Sequence, residues 1–140
     1  MGKRKETDIG RLDLAQLMLS DARFNLQHRR YRCAISRSYY ACHHAARACL
    51  EAIGQPLLKT RSGAHRACIK VFSWHFIRTK ILSVSLSATL KDLLELREAA
   101  DYELEIGNIE KVANQHYQRA ESFLHEVEKY AQTQSAEPND

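Results

Sequence analysis

The stretch Ala34–Ile53 constrains the fold more than any other part of the chain. Read with the 3.6-residue period of an α-helix, its side chains fall into three neighbouring lines, which the two-residue alternation of a strand would not produce. One line is small and the next is mainly apolar, so two adjacent faces suit close packing against other helices. The small line is Ala34, Ser38, Ala41, Ala45, Ala48 and Ala52, and the apolar line is Ile35, Tyr39, Cys42, Ala46, Cys49 and Ile53. The pattern predicts a helix that lies deep in a bundle.

The third line of this helix is polar and carries cations and an imidazole. Arg37 and His44 are seven residues apart and therefore have almost the same angle about the helix axis, with Arg47 one turn further on. Such a line suits an anion, and equally suits a solvated edge of the bundle. The candidate residues for binding an anion, such as a phosphate group, are Arg37, Tyr40, His44 and Arg47.

The remaining periodic segments are also helical. We expect helices over about 8–29, 31–53, 63–79, 86–106 and 109–131, with Asp8 and Ser62 as N-caps and breaks at Gly54 and at Gly107-Asn108. The predicted fold is all-α: an up-and-down antiparallel four-helix bundle with an additional shorter helix. Residues 1–7 read as a flexible basic tail, 8–131 as a single helical domain and 132–140 as a disordered tail.

The composition excludes several classes of protein. No apolar run reaches the roughly 18 residues that a membrane span needs, and no hydrophobic signal segment follows the basic start. The four cysteines form no C-x-x-C pair, and the histidines have no convincing metal spacing. We therefore expect a cytoplasmic protein with reduced cysteines, no membrane partner, no metal site and no cofactor.

Charge is distributed very unevenly along the chain. Residues 22–91 contain thirteen Lys and Arg and one acidic residue, whereas residues 92–140 contain twelve acidic residues and four basic ones. Two interpretations remain open. Basic and acidic helices pair across the bundle surface, or a basic face attracts phosphate groups or an acidic partner.

The fourth predicted helix contains an arginine in its core-facing line. The line is Leu86, Leu90, Leu93, Arg97, Ala100 and Leu104. A buried guanidinium is costly unless it is paired, and Asp101 lies one turn later, at the spacing that allows pairing. Arg97 and Asp101 are either a structural pair, including one across a dimer interface, or a charged fork that is aimed at phosphate.

The fifth predicted helix contains a histidine in a similar position. His116 interrupts an apolar line just as Arg97 does. If the last two helices form a hairpin about Gly107, residues equally distant from the turn face each other, so His116 and Tyr117 should lie near Arg97. The alternative is a histidine that simply occupies the core.

Two segments resemble the signature pieces of the HEPN-domain family. They are SRSYYACHHAARACLEAIG (Ser36–Gly54) and LREAADYEL (Leu96–Leu104), and they are most similar to the small prokaryotic branch. The resemblance covers about Leu12 to Tyr130. It implies a helical bundle that forms a homodimer, encoded beside a minimal nucleotidyltransferase with which it acts as toxin and antitoxin. Active members of the family are metal-independent endoribonucleases.

The resemblance also implies residue roles. Active HEPN nucleases have an Arg, a polar residue directly after it, and a His after four to six residues. Arg97 and Glu98 match the first two positions, but Tyr102, Glu103 and Leu104 stand where the His would be. Looser matches are Arg23–His28, Arg37–His43, Arg37–His44 and Arg119–His125.

Tyr102 has its own implied role. In related toxins a tyrosine near this motif receives AMP from the partner nucleotidyltransferase, which makes Tyr102 a candidate acceptor. The alternative is a packing residue whose hydroxyl binds Arg97 or Asp101.

Three hypotheses follow. In the first, the protein is a HEPN-type toxin and a metal-independent endoribonuclease with Arg97, Asp101, Tyr102 and His116 as catalytic residues. The base that removes a proton from the 2′-hydroxyl is then His116 or His44. In the second, the protein is a non-catalytic subunit that binds nucleotide or substrate for a minimal nucleotidyltransferase. In the third, it is a structural dimeric bundle that uses Arg97 in an interface ion pair.

Overall fold

A computed structural model describes residues 10–55 and 63–136. Within these residues the secondary structure is entirely helical, which confirms the predicted fold class. A short π-helical segment continues the third helix. The elements are α1 (Arg11–Gln27), α2 (Tyr31–Ala52), α3 (Ala64–Phe72), the π segment (Ser73–Ile77), α4 (Ser85–Tyr102) and α5 (Ile109–Ala136).

The long helices run alternately up and down. Arg11 at the start of α1 forms an ion pair with Glu51 at the end of α2, at 2.8 Å, so these helices are antiparallel. Asp92 in the first half of α4 pairs with Arg119 of α5 at 3.0 Å. α2 packs against α1, α4 and α5 and therefore lies at the centre of the bundle.

The burial of α2 follows the lines that its sequence predicts. Half of its 22 residues are buried, including most of the small line and most of the apolar line. Tyr39 is fully buried in its middle. After Ala52 the chain turns at Gly54, whose φ of 71° is left-handed and suits a residue without Cβ. Ala52 and Ile53, the last residues of the small line and of the apolar line, are exposed at this turn.

The third helix differs from the prediction of one continuous α-helix to residue 79. It changes after Phe72 to wider π-helical hydrogen bonding, in which the N–H of Arg78 donates to the carbonyl of Ser73. Phe72 and Phe76, on either side of this change, both point inward, with ring centroids 5.5 Å apart. Phe123 of α5 packs on Phe72 at 5.8 Å, so the segment anchors α3 to the core.

The fourth helix ends four residues earlier than the sequence predicts. Arg32 of α2 donates hydrogen bonds to the carbonyls of Ala100 and Leu104, at 2.6 and 2.7 Å. Glu103 is already extended. The acidic run beyond residue 100 also opposes a longer helix, because anions are unfavourable near a helix C-terminus. Leu104, predicted as a core residue, is consequently 96% exposed.

The outer boundaries shift by a few residues. α1 begins after Gly10, and the predicted cap Asp8, the tail 1–7 and the predicted cap Ser62 lie outside the described residues. α5 continues to Ala136, so residues 132–136 of the predicted disordered tail are helical. None of the helices in the described part of the chain is long and apolar enough to cross a membrane.

Candidate functional site

Four helices bring three histidines and four arginines together on one side of α2. We call this group the His–Arg cluster. Its members act on one another's pKa values or lie in direct contact, and Arg66 is linked to them through Glu98, whose charge acts on His65. The cluster consists of Arg11 of α1, of Tyr39, Tyr40, His43, His44 and Arg47 of α2, of His65 and Arg66 of α3, and of Arg97 of α4.

The buried hydroxyl of Tyr39 joins two imidazoles of the cluster. Its oxygen lies 2.6 Å from Nδ1 of His65 and 3.4 Å from Nδ1 of His43. The rings of His43 and His65 are 4.7 Å apart between centroids. Burial raises the pKa of Tyr39, so its hydroxyl remains protonated. One proton is therefore shared by two possible acceptors, which couples the two imidazoles.

Arg97 lies at the edge of this group. Its guanidinium donates to the hydroxyl of Tyr40 at 3.4 Å and to Asp101 at 3.2 Å. Its Cζ lies 5.4 Å from the ring centroid of Tyr39 and 5.5 Å from that of Tyr40, within cation–π range. The Arg97 side chain is 19% exposed. Its Nε is buried without a hydrogen-bond partner in the described chain, so the fork retains donor capacity.

The three imidazoles are held in the neutral form. Burial, followed by the neighbouring imidazoles and the cations, lowers the pKa of His43 to about 3. Burial with Arg11 and Arg47 lowers the pKa of His44 to about 4. The pKa of His65 is lowered by burial and then by Arg97 and Arg47. A neutral imidazole has one bare nitrogen, which can accept a hydrogen bond at physiological pH.

Carboxylates pair with three of the four arginines. Glu51 binds Arg11 at 2.8 Å, and Glu98 binds Arg66 at 2.7 Å. Asp101 binds Arg97, as its spacing predicts. No carboxylate of the described chain lies within ion-pair distance of the fourth, Arg47. The cluster therefore combines neutral bases with cations that are only partly neutralised, a combination that can bind and act on an anion.

The predicted binding line of α2 is brought only partly into this cluster. Tyr40, His44 and Arg47 belong to it, and the rings of Tyr40 and His44 stack with centroids 6.3 Å apart. Arg37 is exposed, and its guanidinium lies 3.2 Å from Sδ of Met18 in α1. It therefore lies at the α1 side, away from the imidazoles.

His116 is not brought to Arg97. It contacts the carbonyl of Val112 in its own helix, and its charged neighbours are Arg119 and Asp92. Burial lowers its pKa. α4 presents Asp92 towards α5 but Arg97 towards α2, because five residues correspond to about 140° around a helix. The hairpin argument that placed His116 and Tyr117 beside Arg97 is therefore wrong about the face of α4.

A comparison with protein-family models shows that residues 11–130 match the HEPN domain. The chain belongs to the HEPN family. No curated protein matches it significantly. Membership indicates a function in RNA cleavage or nucleotide binding, and the helical bundle is the fold of this domain.

The HEPN motif positions divide between the cluster and the surface. Arg97 lies in the cluster, and the next residue, Glu98, binds Arg66. Tyr102 is 84% exposed at the end of α4, and Leu104 is almost fully exposed beyond it. The place of the family's histidine therefore lies at the surface of this HEPN domain, outside the His–Arg cluster.

Sequence reasoning missed the two histidines that contact Tyr39. The sequence singles out His43 only in the loosely matching pair Arg37–His43, and it offers His65 only for the search for metal spacing. A signal for His43 was present, because it follows Tyr39 by four residues and so lies on the same face of α2. The described residues contain no group of three His, Cys, Asp or Glu side chains arranged to hold a metal ion.

Proposed function

We propose that this HEPN protein is the toxin component of a toxin–antitoxin-like module and a metal-independent endoribonuclease. The observation that carries the proposal is that Tyr39 joins an imidazole to a cation: its hydroxyl lies 2.6 Å from Nδ1 of His65, and its ring centroid lies 5.4 Å from Cζ of Arg97. Cleavage of RNA without a metal needs a base for the 2′-hydroxyl and a cation for the charge that grows on the phosphate. Both groups are present on one side of α2.

In this proposal His65 is the general base and Arg97 stabilises the charge on the phosphate. Nε2 of His65 takes the proton from the 2′-hydroxyl, whose oxygen then attacks the phosphorus. Arg97 binds the phosphate oxygens as their charge grows in the transition state. The bond to the 5′-oxygen breaks, and this oxygen takes a proton from solvent, while His65 returns its proton to solvent. The products are a 2′,3′-cyclic phosphate and a 5′-hydroxyl end.

The Tyr39 network supports the tautomer that this reaction needs. The hydroxyl donates its single proton to one imidazole and accepts from the other. If it donates to Nδ1 of His43, then Nδ1–H of His65 donates to the Tyr39 oxygen, and Nε2 of His65 carries a lone pair. In this assignment Tyr39 positions the base. His44, the sequence-based candidate, contacts Arg11 at 3.3 Å and lies further along α2.

The test is growth after induced expression, with cellular RNA examined on a gel. We expect arrest and new RNA fragments with the wild type, and neither with Arg97→Ala or His65→Gln. Arg119→Ala is the matched control, because Arg119 also pairs with an aspartate but lies outside the cluster. Thermal melting of each purified variant checks the fold, since Asp101 is 42% exposed and can be hydrated when Arg97 is removed.

Two results would contradict this proposal. If Arg97→Ala arrests growth as the wild type does, Arg97 is not catalytic. If Arg97→Ala unfolds or dissociates the protein while Arg119→Ala does not, Arg97 is a structural ion-pair residue, as the third hypothesis holds.

A second candidate is a non-catalytic subunit that binds a nucleotide or substrate for a minimal nucleotidyltransferase. The observation that favours it is the exposed Tyr102 and Leu104 where the family's histidine would be. The cluster would then bind phosphate without cleaving RNA. Normal growth and intact RNA at confirmed soluble expression, together with nucleotide binding that Arg97→Ala weakens, would select this function.

The partners that we propose follow from the family. A homodimer would place two copies of Arg97 in one assembly, and the antitoxin would be a nucleotidyltransferase in the same cytoplasm. The hydroxyl of Tyr102 is accessible for transfer of AMP. Mass spectrometry of the protein expressed with such a partner and ATP tests this, with Tyr102→Phe as the control.

A further inference from the structure

Arg47 is the arginine of the cluster that the described chain leaves without a partner. Its Nε is buried and makes no hydrogen bond with the described residues, and no carboxylate there pairs with it. Arg47 itself is half-buried, but a buried N–H without an acceptor is costly, and an oxygen of an anionic ligand would satisfy it. The carboxylates of Arg11, Arg66 and Arg97 are each engaged with their own arginine.

The position of Arg47 is central. Its charge lowers the pKa values of His43, His44 and His65, so its guanidinium lies within electrostatic range of all three imidazoles. It also opposes the effect of burial on Cys68, whose pKa is nevertheless raised to about 11. Arg47 also follows His43 by four residues and His44 by three, so it lies on the same face of α2 and an anion bound to it would lie beside these imidazoles.

Arg11 supplies a second cation at this end. Besides its ion pair with Glu51, its guanidinium lies 3.3 Å from Nδ1 of His44. Arg11 also contributes to the lowered pKa values of His43 and His44. Arg11 and Arg47 thus act on the same pair of imidazoles.

The cations of the cluster lie at two levels along α2. Arg97 contacts Tyr40, and Arg47 follows Tyr40 by seven residues, which is about 10 Å along α2. Both Arg97 and Arg47 act on His65. A single phosphate at Arg97 would leave Arg47 unsatisfied, whereas a strand of RNA carries a further phosphate beside the one that is cleaved.

We propose that Arg47 and Arg11 form a second phosphate subsite, which binds the phosphate next to the one that Arg97 holds. This inference rests on the proposed nuclease function and defines its substrate as a strand that must extend past the cleaved bond. The ligand is a phosphodiester of single-stranded RNA, and the phosphate chain of a nucleoside triphosphate is the competing source of the same chemistry.

The test measures binding of a short 2′-deoxy-substituted, uncleavable oligonucleotide as a function of salt. Each phosphate contact on a single strand contributes about 0.7 to the slope of log affinity against log salt. We expect Arg47→Gln to reduce the slope by about 0.7, so that its affinity falls about threefold less than that of the wild type between about 50 and 200 mM salt. Arg47→Lys should retain most of the slope, and Arg119→Gln, outside the cluster, should leave it unchanged.

A neutral methylphosphonate, placed at one phosphate at a time, locates the subsite. We expect two adjacent positions to weaken the wild type, the phosphate that Arg97 holds and the one next to it, and only the second of these to have no further effect on Arg47→Gln. This scan on the wild type decides the question even if Arg47→Gln does not fold, because a subsite requires one sensitive position beside the cleaved phosphate. Equal slopes for Arg47→Gln and Arg119→Gln, or no sensitive position, would overturn the proposal.

Titration with AMP, ADP and ATP separates the two sources. Tighter binding of ATP that depends on Arg47, with oligonucleotide binding independent of it, would overturn the RNA assignment. The failure of this inference is distinct from failure of the nuclease. If RNA cleavage still depends on Arg97 and His65 while the salt dependence of binding is unchanged in Arg47→Gln, only the second subsite is refuted. If the slope depends on Arg47 but no RNA is cleaved, only the nuclease fails.

Discussion

The neutral state of His43 makes a specific prediction for stability against pH. His43 is only 7% exposed, and its folded pKa is about 3, against 6.5 when it is solvated. The cations and imidazoles that face it, from α1, α2 and α3, disfavour its charged form. Because the folded pKa is lowered, the unfolded chain takes up the proton first as the pH falls. The contribution to stability is therefore complete above about pH 7.5 and is lost progressively below 6.5.

The magnitude follows from one proton. Between about pH 7.5 and pH 5, the unfolded chain binds nearly one more proton at His43 than the folded protein does, which costs about 2 kcal/mol of unfolding free energy. His43→Gln removes this proton while it keeps a polar side chain beside Tyr39. We expect the loss of stability over that pH range to be smaller in the variant by about 2 kcal/mol.

Urea denaturation followed by far-ultraviolet circular dichroism at each pH measures this difference. The comparison of slopes cancels the carboxylates, which titrate in both proteins. His125→Gln is the matched control, because His125 is exposed. If wild type and His43→Gln lose stability in parallel, His43 is not held neutral by the fold, and the argument for neutral bases in the cluster fails with it.

Two further predictions concern Tyr39 in the His–Arg cluster and Arg32 at the end of α4. Tyr39→Phe removes the hydroxyl that contacts His65, so we expect slower RNA cleavage with unchanged RNA binding. The acidic limb of the pH–rate profile should move to lower pH, because the imidazolium of His65 loses a hydrogen-bond acceptor. The control is Tyr117→Phe, which should change neither the rate nor the pH profile, because the hydroxyl of Tyr117 contacts only Glu121 among the described residues. Arg32→Ala removes two charged hydrogen bonds at the end of α4 and should lower the free energy of unfolding, measured by urea denaturation, by roughly 2 to 3 kcal/mol. Lys91→Ala, at an exposed position, should lower it by less than about 0.5 kcal/mol. Equal losses for the two variants would contradict the role of Arg32.

The fold and one part of the site were predictable because they depend on local periodicity. The three lines of α2 predicted its central position, since a helix that buries two adjacent faces must lie between neighbours. The pair of Arg97 and Asp101 was predictable for the same reason, because residues four apart lie on the same face of a helix. The early end of α4 was not, because it depends on Arg32, which is 68 residues away from Ala100 in the sequence.

The approach of His65 to Tyr39 was not predictable from any period. His65 follows residues 56–62, and the short α3 that carries it is oriented by Phe72 and by the π segment after it. The rotation of each helix about its own axis is set by such packing. The hairpin argument for His116 failed for the same reason. It assumed that the face of α4 that carries Arg97 packs against α5.

The composition of the cluster suits both the base and the phosphate site that we propose. Arginine remains charged when buried, whereas a lysine would lose its proton more readily. Burial, and then the charges of Arg97 and Arg47, lower the pKa of His65. In the proposed nuclease, a phosphate bound to these arginines would offset their charges and raise the pKa of the imidazole beside it. His65 would then be a stronger base with RNA bound, and it would return its proton more readily once the product leaves. The same cations would thus couple the strength of the base to the presence of substrate.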